Sequence, residues 1–507
     1  MGFLKFLLKL ILVVAIIAVG TAWYFYHQHQ QSIPGEQPAQ VVNDITGLNP
    51  IEVASIVRPI NEQEVVDAIL ATTGPISIGG ARYSMGGQIA FPDSLHLDMR
   101  DYDEVVSFDA DHRLITVQSG MTWKQVQAFI DPHDLSVSIM QDFNNFTVGG
   151  SLSVNAHGRY LHAGPIINSV QSIRIALANG QIYDASREKN NALFYSAIGG
   201  YGAIGVILEA TLQLQPNIAL ERRTQALAFP DFLPHFVDKV LTDDSIVLHH
   251  ALLYPPNYES VLDVTWHKTD KPLTDTQRLT GAVEQSWWKE VLIDLISRND
   301  LLKRMRQNLV DSYIYSKPAV VMRNRETSYD VNQFGFVSNT RSTLALREYF
   351  VPMDKFEVFV LKLRDAFIRH QVNVLNISIR HLPKDDESLL SYAPEDMFSF
   401  VVIYQEDKDE ASQKKVAEWS KEMIQGAIES VGSYYMPFQI HETSEQFYRA
   451  YRDAGTFFKV KKKADPENRF NNMLWLKHYA ENKPYRDAMQ AESAVQVENN
   501  KPTEAVQ

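Results

Sequence analysis

The sequence predicts an α+β fold built from at least two packed units, and three observations support this. The 507 residues exceed the length that one hydrophobic core usually supports. Hydrophobic residues make up 45% of the chain and charged residues 21%, which is typical of a globular protein rather than a disordered one. Short strand-like runs and isolated helices follow one another without the regular alternation that predicts a parallel α/β sheet.

The pattern of residues 1–31 predicts one transmembrane helix, an anchor ahead of the folded units. The run from Leu10 to Tyr26 carries no charge, and counted from Phe3 the apolar stretch is long enough to cross ~30 Å of hydrocarbon. It ends in the aromatic cluster WYFY at 23–26, which suits the membrane–water interface. A cleaved signal peptide is the alternative, but bulky aromatic residues occupy the place of the small residues that cleavage needs.

The charges beside this segment predict its orientation. Lys5 and Lys9 precede or interrupt the apolar run, and no Lys or Arg follows before Arg58. By the positive-inside rule, the bulk of the chain is expected outside the cytoplasm, on the periplasmic side, with residues 6–26 in the membrane. The expected localisation is therefore that of a single-pass membrane protein.

Shifts in composition divide the chain into successive regions. A polar stretch with early prolines follows the anchor and is typical of a linker. Two regions with periodic apolar residues come next, and the last residues are polar, acidic and without period, which predicts disorder. The predicted regions are the anchor at 1–31, the linker at 32–50, a first domain at 51–216, a second domain at 217–430, a C-terminal segment at 431–480 and a disordered tail at 481–507.

Turn signals separate short strand-like runs in the first domain. The segments PISIGG at 75–80 and RLITVQSG at 113–120 predict strands, and TWKQVQAFIDPHD at 122–134 predicts a short helix. In VQSIRIALANGQIYDA at 170–185, apolar residues alternate before Asn179-Gly180, which is a strong hairpin signal. This region is therefore predicted to be an α+β unit.

The second domain combines longer helices with strands of a second sheet. VNVLNISIRHL at 372–382 and FSFVVIYQ at 398–405 predict strands. SWWKEVLIDLISRNDLLKRMRQNLV at 286–310 is apolar and aromatic, then basic; it either packs on the domain as a cap helix or lies on the membrane surface near the anchor. A helix is also predicted at 353–371, with one apolar stripe formed by Phe356, Phe359, Val360, Leu363 and Phe367.

Composition excludes several kinds of partner and chemistry. The net charge of −13 argues against binding to nucleic acid, because neutralising phosphates needs a basic surface. The chain has no cysteine, which excludes disulfides, thiolate metal sites and attachment of a cofactor through cysteine. The histidine pairs His157 with His162 and His249 with His250 lack convergent carboxylates at ligand spacing, so no metal site is expected.

Three glycine-rich segments in the first domain favour a bound phosphate group. They are IGGARYSMGG at 78–87, TVGGSLSVNAHG at 147–158 and AIGGYGAIGVI at 197–207. Glycine lets the backbone approach a ligand closely, and successive N–H groups in such turns form a nest for an anion. A tight connection between strands explains any single segment equally well, but three together favour a cofactor that contains a diphosphate. Their spacing matches neither the GxxxxGK[ST] loop nor GxGxxG before a helix, which argues against ATP and a Rossmann-bound dinucleotide.

Several segments also resemble a known family. GGARYS, QSGMTW, TVGGSLSVNAHG and LFYSAIGGYGAIGVILEATL resemble, in order and spacing, the FAD-binding domain of the vanillyl-alcohol oxidase/p-cresol methylhydroxylase (PCMH) family. The most similar branch contains aldonolactone oxidases of the D-arabinono-1,4-lactone oxidase kind, alditol oxidases and decaprenylphosphoryl-ribose oxidase. Downstream, LREYFVP at 346–352, IRHLPKDD at 379–386 and ADPENRFNN at 464–472 are similar to the same branch.

The resemblance implies a PCMH-type FAD-binding domain of two α+β subdomains, an α+β cap (substrate) domain over the isoalloxazine ring, and a C-terminal segment that returns to the flavin domain. The loop at Gly149 and Gly150 would approach the FAD diphosphate, with residues 79–84 on its other side. Ile204 and Ile207 would lie near the adenine end. The cofactor-binding residues carried over by position are Gly79, Gly80, Ala81, Arg82, Tyr83, Ser84, Gly120, Thr147, Gly149, Gly150, Ser151, Ser153, Asn155, His157, Gly158, Gly202, Ile204, Gly205 and Ile207.

One position departs from the family pattern. Many members attach FAD through a histidine in a GGxxHS-like segment, and GGARYS places Tyr83 at that position. Tyrosine does not form the usual linkage to the ring methyl group, and no cysteine is present for the alternative linkage. The resemblance therefore implies FAD bound without a covalent bond, with Tyr83 packed beside the ring.

The reaction implied by the resemblance is hydride transfer from a substrate C–H, beside an alcohol, to flavin N5. A base must accept the hydroxyl proton, and His157 is the candidate, because histidine titrates close to working pH. Its alternative role is to hold its own loop by hydrogen bonds. Arg380 is the cap residue expected to face the ring and the substrate.

Two positions leave the substrate open. Sugar-oxidising relatives often have an acidic residue where this chain has Ser378. Some carry a lysine in the segment that matches YYMPFQIHET at 434–443, where Gln439 and His441 are the polar residues here. Gln439 and His441 are therefore added to His157 and Arg380 as expected catalytic residues.

Together these observations predict a membrane-anchored FAD-dependent oxidoreductase that oxidises a CH–OH group of a sugar, an aldonolactone or a lipid-linked sugar. The anchor makes a lipid-linked substrate and a membrane quinone acceptor attractive, and oxygen is the other acceptor considered. Two alternatives stay open. One is a non-catalytic flavin-binding membrane protein, and the other is an FAD-dependent reductase of a double bond that draws electrons from NAD(P)H.

Overall fold

The computed structural model describes residues 38–281, 287–334 and 338–480, with Gly20, Trp23, Tyr24, Tyr26 and His27 ahead of them. Apart from those five residues, the predicted anchor at 1–31 lies outside the described part of the chain, and so does the predicted tail at 481–507. Within the described ranges, no helix has the length and apolar character needed to cross a membrane.

The first unit of the fold is built from the strands that precede residue 217. In chain order, its described strands are β1 (Val41–Val42), β2 (Ile51–Glu52), β3 (Ser55–Val57), β4 (Ile76–Gly79), β5 (Leu95–Asp98), β6 (Val105–Asp109), β7 (Leu114–Gln118), β8 (Leu135–Val137), β9 (Val170–Ala176), β10 (Ile182–Ser186) and β11 (Val206–Pro216). The predicted strands at 75–80 and 113–120 correspond to β4 and β7.

These strands form one large and two small sheets in the described residues. The large sheet has the order β10-β9-β11-β7-β6, with β8 paired to the end of β11 and every pair antiparallel. Strands β9 and β10 form the predicted hairpin, in which Gly180 adopts a φ of +78° that favours glycine. The small sheets are the parallel β3-β5-β4 and the antiparallel pair β1-β2.

Short helices connect the strands of the first unit. Those described are α1 (Glu62–Ala71), α2 (Trp123–Ile130), α3 (Val148–Ser153) and α4 (Asn191–Ala197), with 3₁₀ turns at Met99–Asp101, Asp131–His133 and Ile166–Ser169. Helix α2 is the one predicted at 122–134, and Thr122 and Gln125 form a reciprocal capping box at its start. Helix α3 begins where the side chain of Thr147 accepts a hydrogen bond from the N–H of Gly150.

The second unit is built on one antiparallel sheet. Its described strands are β12 (Ala219–Ala228), β13 (Ile246–Leu253), β14 (Ser260–Lys268), β15 (Val320–Met322), β16 (Ser342–Pro352), β17 (Val374–Leu382), β18 (Met397–Asp407) and β19 (Ser433–Tyr434). They pair in the order β15-β12-β14-β13-β17-β18-β16-β19. Strands β17 and β18 are those predicted at 372–382 and 398–405, and the predicted α+β class is confirmed.

Helices of the second unit and the C-terminal segment complete the fold. Those described are α5 (Phe229–His235), α6 (Trp287–Ser297), α7 (Asp300–Met305), α8 (Ser312–Ser316), α9 (Arg323–Glu326), α10 (Phe356–Arg369), α11 (Glu410–Glu429), α12 (Ser444–Ala450), α13 (Ala454–Ala464) and α14 (Met473–Trp475). The π-helical turns are Phe236–Val240, Arg306–Asp311 and Leu476–Ala480, and the 3₁₀ turns are Val331–Phe334 and Met353–Lys355. The predicted apolar stripe of α10 is buried.

The predicted segment at 286–310 packs as a helical cap on the second sheet. It forms α6 and α7 and continues through the π-helical turn Arg306–Asp311 into α8. Arg298, between α6 and α7, pairs with Asp407 at the end of β18, with 2.8 Å between the charged groups. This packing leaves an outer face in contact with solvent.

The C-terminal segment returns to the first unit. Lys461 Nζ donates to the carbonyl of Ala203 at 3.0 Å, and Asn472 Nδ2 donates to the carbonyl of Tyr201 at 2.7 Å. Phe470 pairs with Ile76 beside β4. One continuous hydrophobic core includes residues of both units and of this segment, so the cleft between the units has a rigid frame.

Candidate active site

A cleft at the junction of the two units contains most of the predicted site residues. It encloses about 1490 Å³, its opening to solvent included. Ligand sites occur preferentially in clefts between packed units, so this cleft is the candidate site for a cofactor and a substrate. The predicted residues that line it are Gly79, Gly80, Ala81, Arg82, Tyr83, Ser84, Thr147, Gly149, Gly150, Ser153, His157, Gly202, Gly205, Ile207 and Arg380.

The loop after β4 presents free backbone donors at the cleft. The N–H groups of residues 81–84 donate no hydrogen bond to any other described residue. Arg82 adopts a φ of +65°, and a left-handed residue inside such a loop turns successive N–H groups toward one point. A Cβ on Gly80 would collide with Thr147 Oγ1, so only glycine lets this loop approach α3 so closely. The loop therefore has the form of an anion cradle.

Side-chain donors in the same wall are also unpaired. Arg82 Nε and Ser119 Oγ are buried without a hydrogen-bond partner in the described ranges, and both residues line the cleft. Asp98 lies beneath the loop and pairs with Arg82 at 3.2 Å and with Arg100 at 2.6 Å. Burial alone would raise the pKa of Asp98, but the hydrogen bond and charge of Arg100, then the charge of Arg82, hold it below its ordinary value. The carboxylate therefore stays ionised and orients Arg82.

Helix α3 forms the facing wall, and its first N–H groups are already occupied. The N–H of Val148 donates to the carbonyl of Met121 at 2.8 Å, and that of Gly149 donates to the carbonyl of Ser119 at 2.7 Å. Thr147 Oγ1 accepts from the N–H of Gly150 at 3.3 Å. The free donors thus belong to the loop at 81–84, whereas α3 contributes close approach through residues without side chains.

Tyr83 provides a flat apolar surface in the cleft. Its ring stacks on Phe146, with centroids 4.2 Å apart and planes inclined by 20°. Burial, with a smaller contribution from the negative charge of Asp330, raises the pKa of Tyr83 to about 12. The phenol is therefore protonated at neutral pH and is a weak nucleophile, while its ring can pack against a planar ligand.

His157 is held by a carboxylate from the second unit. Its Nε2 lies 2.7 Å from Glu348 Oε1, and the two side chains are 3% and 4% exposed. Burial alone would raise the pKa of Glu348, but His157 outweighs it, with smaller contributions from Arg380 and Ser399, so the pKa lies below its ordinary value. Glu348 therefore accepts the Nε2 proton as a carboxylate, while Nδ1 lies 3.4 Å from the carbonyl oxygen of Gly158.

Arg380 is held by a second carboxylate, that of Asp142, whose side chain is half-buried. Asp142 pairs with Arg380 and also accepts from Arg159 Nε at 2.9 Å. Burial alone would raise the pKa of Asp142, but Arg380 and then Arg159 lower it to about 2. Arg159 in turn donates to Glu326 at 2.8 Å. Arg380 Nε is buried without a partner among the described residues, so the guanidinium keeps donor capacity for a ligand.

The register of the second sheet brings Glu348 and Arg380 to the same side of the cleft. Strand β18 lies between β16 and β17, and its Val401 and Ser399 are the register partners of Glu348 and Arg380. Side chains two residues apart on one strand point to the same face. Glu348 and Arg380 therefore emerge together beside His157, although they come from different strands.

The two residues expected from the segment 434–443 lie behind the cleft wall. Arg347 of β16 donates to the carbonyl of Gln439 at 2.5 Å and pairs with Nδ1 of His441. Burial, followed by the positive charge of Arg347, lowers the pKa of His441 to about 2. His441 is therefore a neutral acceptor for Arg347. The structure places Gln439 and His441 in a support role for β16, because neither side chain reaches the cleft lining.

Five predicted cofactor-binding residues also stand behind the lining and hold the loops in place: Gly120, Ser151, Asn155, Gly158 and Ile204. Ser151 Oγ donates to Gln141 Oε1 at 2.8 Å, and Asn155 Nδ2 donates to Ser388 Oγ at 2.7 Å. A Cβ on Gly120 would collide with the carbonyl oxygen of Met99, so close packing of the backbone requires glycine at this position. Gly120 therefore supports the cleft wall from behind and does not line the cleft itself.

Sequence reasoning missed the partner carboxylates. Glu348 lies inside LREYFVP, in a strand whose other residues are mostly apolar and buried, and such an isolated carboxylate signals a buried charge partner. Asp142 follows the strand-like run that ends in Met140 and has no comparable signal. Ser119 stands in QSGMTW, where the resemblance drew attention to Gly120 instead.

Comparison with known proteins assigns the family. Residues 53–186 match a family described as an FAD binding domain, and residues 210–479 match the D-arabinono-1,4-lactone oxidase family. The second match covers more than half of the chain. The chain belongs to the D-arabinono-1,4-lactone oxidase family. The predicted resemblance is thereby confirmed, as are the class of FAD-dependent oxidoreductases and FAD as the cofactor of the first unit.

Members and relatives of this lactone oxidase family are similar to part of the chain. L-gulonolactone oxidase from Bos taurus is 27% identical over 184 residues, which are 36% of this chain and 41% of the relative. Decaprenylphosphoryl-beta-D-ribose oxidase from Mycolicibacterium smegmatis is 30% identical over 172 residues, 32% and 37% of the two chains. L-gulono-1,4-lactone dehydrogenase from Mycobacterium tuberculosis is 26% identical over 234 residues, 45% and 53% of the two chains. The matches thus span about two fifths to one half of the relatives' length.

The residues that line the cleft also fit FAD by their own chemistry. The free N–H groups at 81–84 and the unpaired Ser119 hydroxyl suit a diphosphate with its several acceptor oxygens. The stack of Tyr83 on Phe146 suits a flat ring system. Gly202 and Gly205 lie on another part of the lining. A Cβ on Gly205 would collide with the carbonyl oxygen of Ala176, so glycine lets the chain pack closely there. These residues would hold FAD between the two units.

Proposed function

We propose that this protein oxidises a CH–OH group of an aldonolactone, a related sugar or a lipid-linked sugar, with FAD as its non-covalently bound cofactor. The observation that carries the proposal is the buried pair of His157 and Glu348 beside Arg380, in the same cleft as the free N–H groups at 81–84. A proton acceptor, a cationic donor and a flavin cradle are the parts that alcohol oxidation requires.

When bound, FAD supplies the acceptor for the hydride that leaves the substrate carbon. The hydroxyl proton goes to Nδ1 of His157, because Nε2 is engaged by Glu348. Once Nδ1 is protonated, both N–H groups of the imidazolium have acceptors, namely Glu348 Oε1 and, 3.4 Å away, the carbonyl of Gly158. The ionised Glu348 stabilises the positive charge that forms on the ring.

Arg380 binds the substrate oxygen in this proposal. Asp142 holds the guanidinium in the cleft wall, and its Nε has no partner among the described residues. A substrate hydroxyl or lactone oxygen that reaches the guanidinium gains a charge-assisted hydrogen bond. Exclusion of water by the buried walls strengthens this bond. Arg380 thus orients the C–H bond for transfer while His157 receives the proton.

The sequence supports a location at the membrane. The uncharged run from Leu10 to Tyr26 serves as the anchor in this proposal, with the folded units on the periplasmic side. A membrane quinone or oxygen then reoxidises the flavin. A reporter fused after residue 507 tests the orientation: activity outside the cytoplasm supports it, and activity confined to the cytoplasm contradicts it.

The test of the activity is anaerobic titration of the purified flavoprotein. L-gulono-1,4-lactone and D-arabinono-1,4-lactone are the first substrates, because relatives or the family carry these lactones in their names. Loss of the oxidised flavin absorbance on adding a lactone supports the proposal. Loss with NAD(P)H alone indicates the reductase, and no loss with any lactone, sugar or NAD(P)H indicates a non-catalytic flavin protein.

A further inference from the structure

The helical segment α6–α8, residues 287–316, carries large apolar side chains on its outer face. On α6, Trp288, Leu292 and Leu295 are exposed at a spacing of four and three residues, which places them on one stripe. Trp288 is 53% exposed. A helix packed on a water-soluble domain normally turns its apolar stripe inward, so this orientation is unusual.

The stripe continues on the rest of the segment. Leu301, Met305, Leu309 and Tyr313 follow one another at intervals of four residues, and Leu301, Leu309 and Tyr313 are 67%, 62% and 62% exposed. Together with the stripe of α6, these side chains define the apolar ridge. Several large apolar groups in one exposed row mark a contact surface rather than chance exposure.

Several polar side chains of the same segment face the protein. Lys303 is buried and donates to Asn373 Oδ1 at 3.0 Å, and Arg306 donates to the carbonyl of Leu375 at 3.4 Å. Gln307 Nε2 donates to Ser260 Oγ at 3.1 Å. Hydrogen bonds to the second sheet therefore hold the inner side of the segment, where Tyr315 also packs against the hydrophobic core. The outward ridge thus has no role in packing within the described chain.

Basic side chains accompany the aromatic residues of the ridge. Lys317 Nζ lies 4.0 Å from the centre of the Tyr313 ring, and Lys289 Nζ lies 5.8 Å from that of Trp288. Arg304 is exposed beside the ridge, and Asp300 is the exposed acidic residue near its start. Residues 287–317 contain six basic and four acidic residues, whereas the whole chain has a net charge of −13. The segment that bears the ridge therefore carries a small net positive charge, opposite in sign to that of the whole chain.

We propose that the apolar ridge docks on a lipid bilayer that contains anionic headgroups. Leu301, Leu309 and Tyr313 would enter the boundary between headgroups and acyl chains, where burial of apolar area and attraction of basic side chains to anionic lipid add. Lysine and aromatic side chains in contact suit this zone, because each has an apolar body and a polar end. The uncharged run Leu10 to Tyr26 of the same chain supports a bilayer as the partner.

The inner side of the segment lies near the residues that support the cleft wall. On the inner side of the segment, Tyr315 lies close enough to Glu326 and Arg159 for their charges to act on its hydroxyl. Arg159 pairs with Asp142, which lines the cleft and holds Arg380. Through Tyr315, the segment that bears the ridge therefore lies near the charged groups that position Arg380. The docking surface itself does not depend on the proposed oxidation.

The experiment uses the full chain, whose lack of cysteine makes a single introduced cysteine a specific labelling site. Leu309→Cys and Leu301→Cys carry an environment-sensitive fluorophore on the ridge. Leu70→Cys on α1 is the matched control, because Leu70 is 59% exposed and belongs to the first unit. The proteins are reconstituted into vesicles of phosphatidylcholine and phosphatidylglycerol, with and without brominated acyl chains, and the absorbance of FAD checks that each variant is folded.

The expected result is an emission shift to shorter wavelength at both ridge positions and a loss of more than half of the intensity with brominated lipid. The label at Leu70 keeps its emission, and vesicles of phosphatidylcholine alone give a smaller loss at the ridge. The proposal is overturned if the ridge labels respond no more than the label at Leu70. It is also overturned if they shift without quenching by lipid, since a second copy of the chain then covers the ridge.

Discussion

His157 Nε2 lies 2.7 Å from Glu348 Oε1, and this contact joins the loop after α3 in the first unit to strand β16 of the second. Each unit contributes one residue of the pair. The proton acceptor proposed for the reaction therefore exists only when the two units are packed together, and its protonated form is stabilised from across the cleft.

Replacing His157 tests its role as the proton acceptor. His157→Asn keeps a polar side chain of similar size but removes the titrating ring, and general base catalysis contributes roughly 10²–10⁴-fold. We expect anaerobic flavin reduction by the lactone substrate to slow by about 10²-fold or more, measured by stopped-flow absorbance. His162→Asn is the control, because His162 is exposed nearby. An unchanged rate in His157→Asn with a full complement of FAD contradicts the role.

Arg380→Lys tests whether the guanidinium Nε binds substrate. Lysine keeps the positive charge for Asp142 but lacks the second donor direction of the planar group. A hydrogen bond to a charged group is worth about 1.5–3 kcal/mol, so kcat/KM is expected to fall about 10- to 100-fold. Arg364→Lys on the exposed side of α10 serves as the control. If kcat/KM stays the same in both variants, Arg380 does not contact the substrate.

Asp142 is expected to stabilise the fold in a manner that depends on pH. Its pKa is lowered to about 2 in the folded protein from an ordinary 3.8, so its contribution is complete above about pH 4 and is lost as pH falls toward 2. The shift corresponds to about 2 kcal/mol. Asp142→Asn should therefore lower the melting temperature at pH 7, and the gap to the unmodified protein should narrow below pH 4.

The control for this prediction is Asp109→Asn, which removes a solvent-exposed carboxylate paired with His112. Screening by water keeps the effect of such a surface pair small. If the melting temperature of Asp142→Asn differs from that of the unmodified protein by the same amount at every pH, the charge of the carboxylate is not the cause of the difference in stability.

Gly150→Val tests the close approach of α3 to the cofactor. A Cβ at Gly150 meets Thr147 Oγ1 at 2.8 Å, a side-chain atom at the edge of the cleft, so the added bulk projects toward the cofactor site and leaves the core intact. We expect less than half of the normal FAD content, measured from the ratio of flavin to protein absorbance. Gly426→Ala on α11 is the control, since its Cβ meets Lys362 Cδ at an ordinary 3.8 Å. A fully loaded Gly150→Val protein places the cofactor elsewhere.

The environment of Tyr83 predicts that FAD is released on acid precipitation. With its pKa raised to about 12, the phenol is not a nucleophile at neutral pH, and the chain has no cysteine to form the bond instead. We expect the yellow colour in the supernatant for the unmodified protein and for Tyr83→Phe alike. Colour that remains in the pellet of both proteins reveals attachment through another residue, and colour lost from the pellet only in Tyr83→Phe identifies Tyr83 itself.

Local features of the fold are predictable where a short stretch of chain contains the whole cause. The hairpin of β9 and β10 follows from Asn179-Gly180, and α10 follows from an apolar stripe at helical spacing. The three glycine-rich segments likewise predict loops that line the cleft, because a backbone that approaches a ligand closely needs several glycines near one another in the sequence. The sequence did not predict that the free N–H groups belong to the loop at 81–84 and not to α3. That depends on which N–H groups already donate to carbonyl groups elsewhere in the fold.

The sequence by itself predicted the α+β class and a cofactor that contains a diphosphate, because periodicity and glycine placement are properties of neighbouring residues. Its resemblance to a known family identified that cofactor as FAD. Only the tertiary structure decided that His157 has Glu348 as its partner, that Arg380 has Asp142, and that Gln439 and His441 stand behind the wall. Those relations depend on the register of β16, β17 and β18, and a slip of one residue would turn each side chain to the other face. Local sequence can indicate that a carboxylate such as Glu348 needs a buried partner, but it does not identify the residue that long-range pairing brings to it.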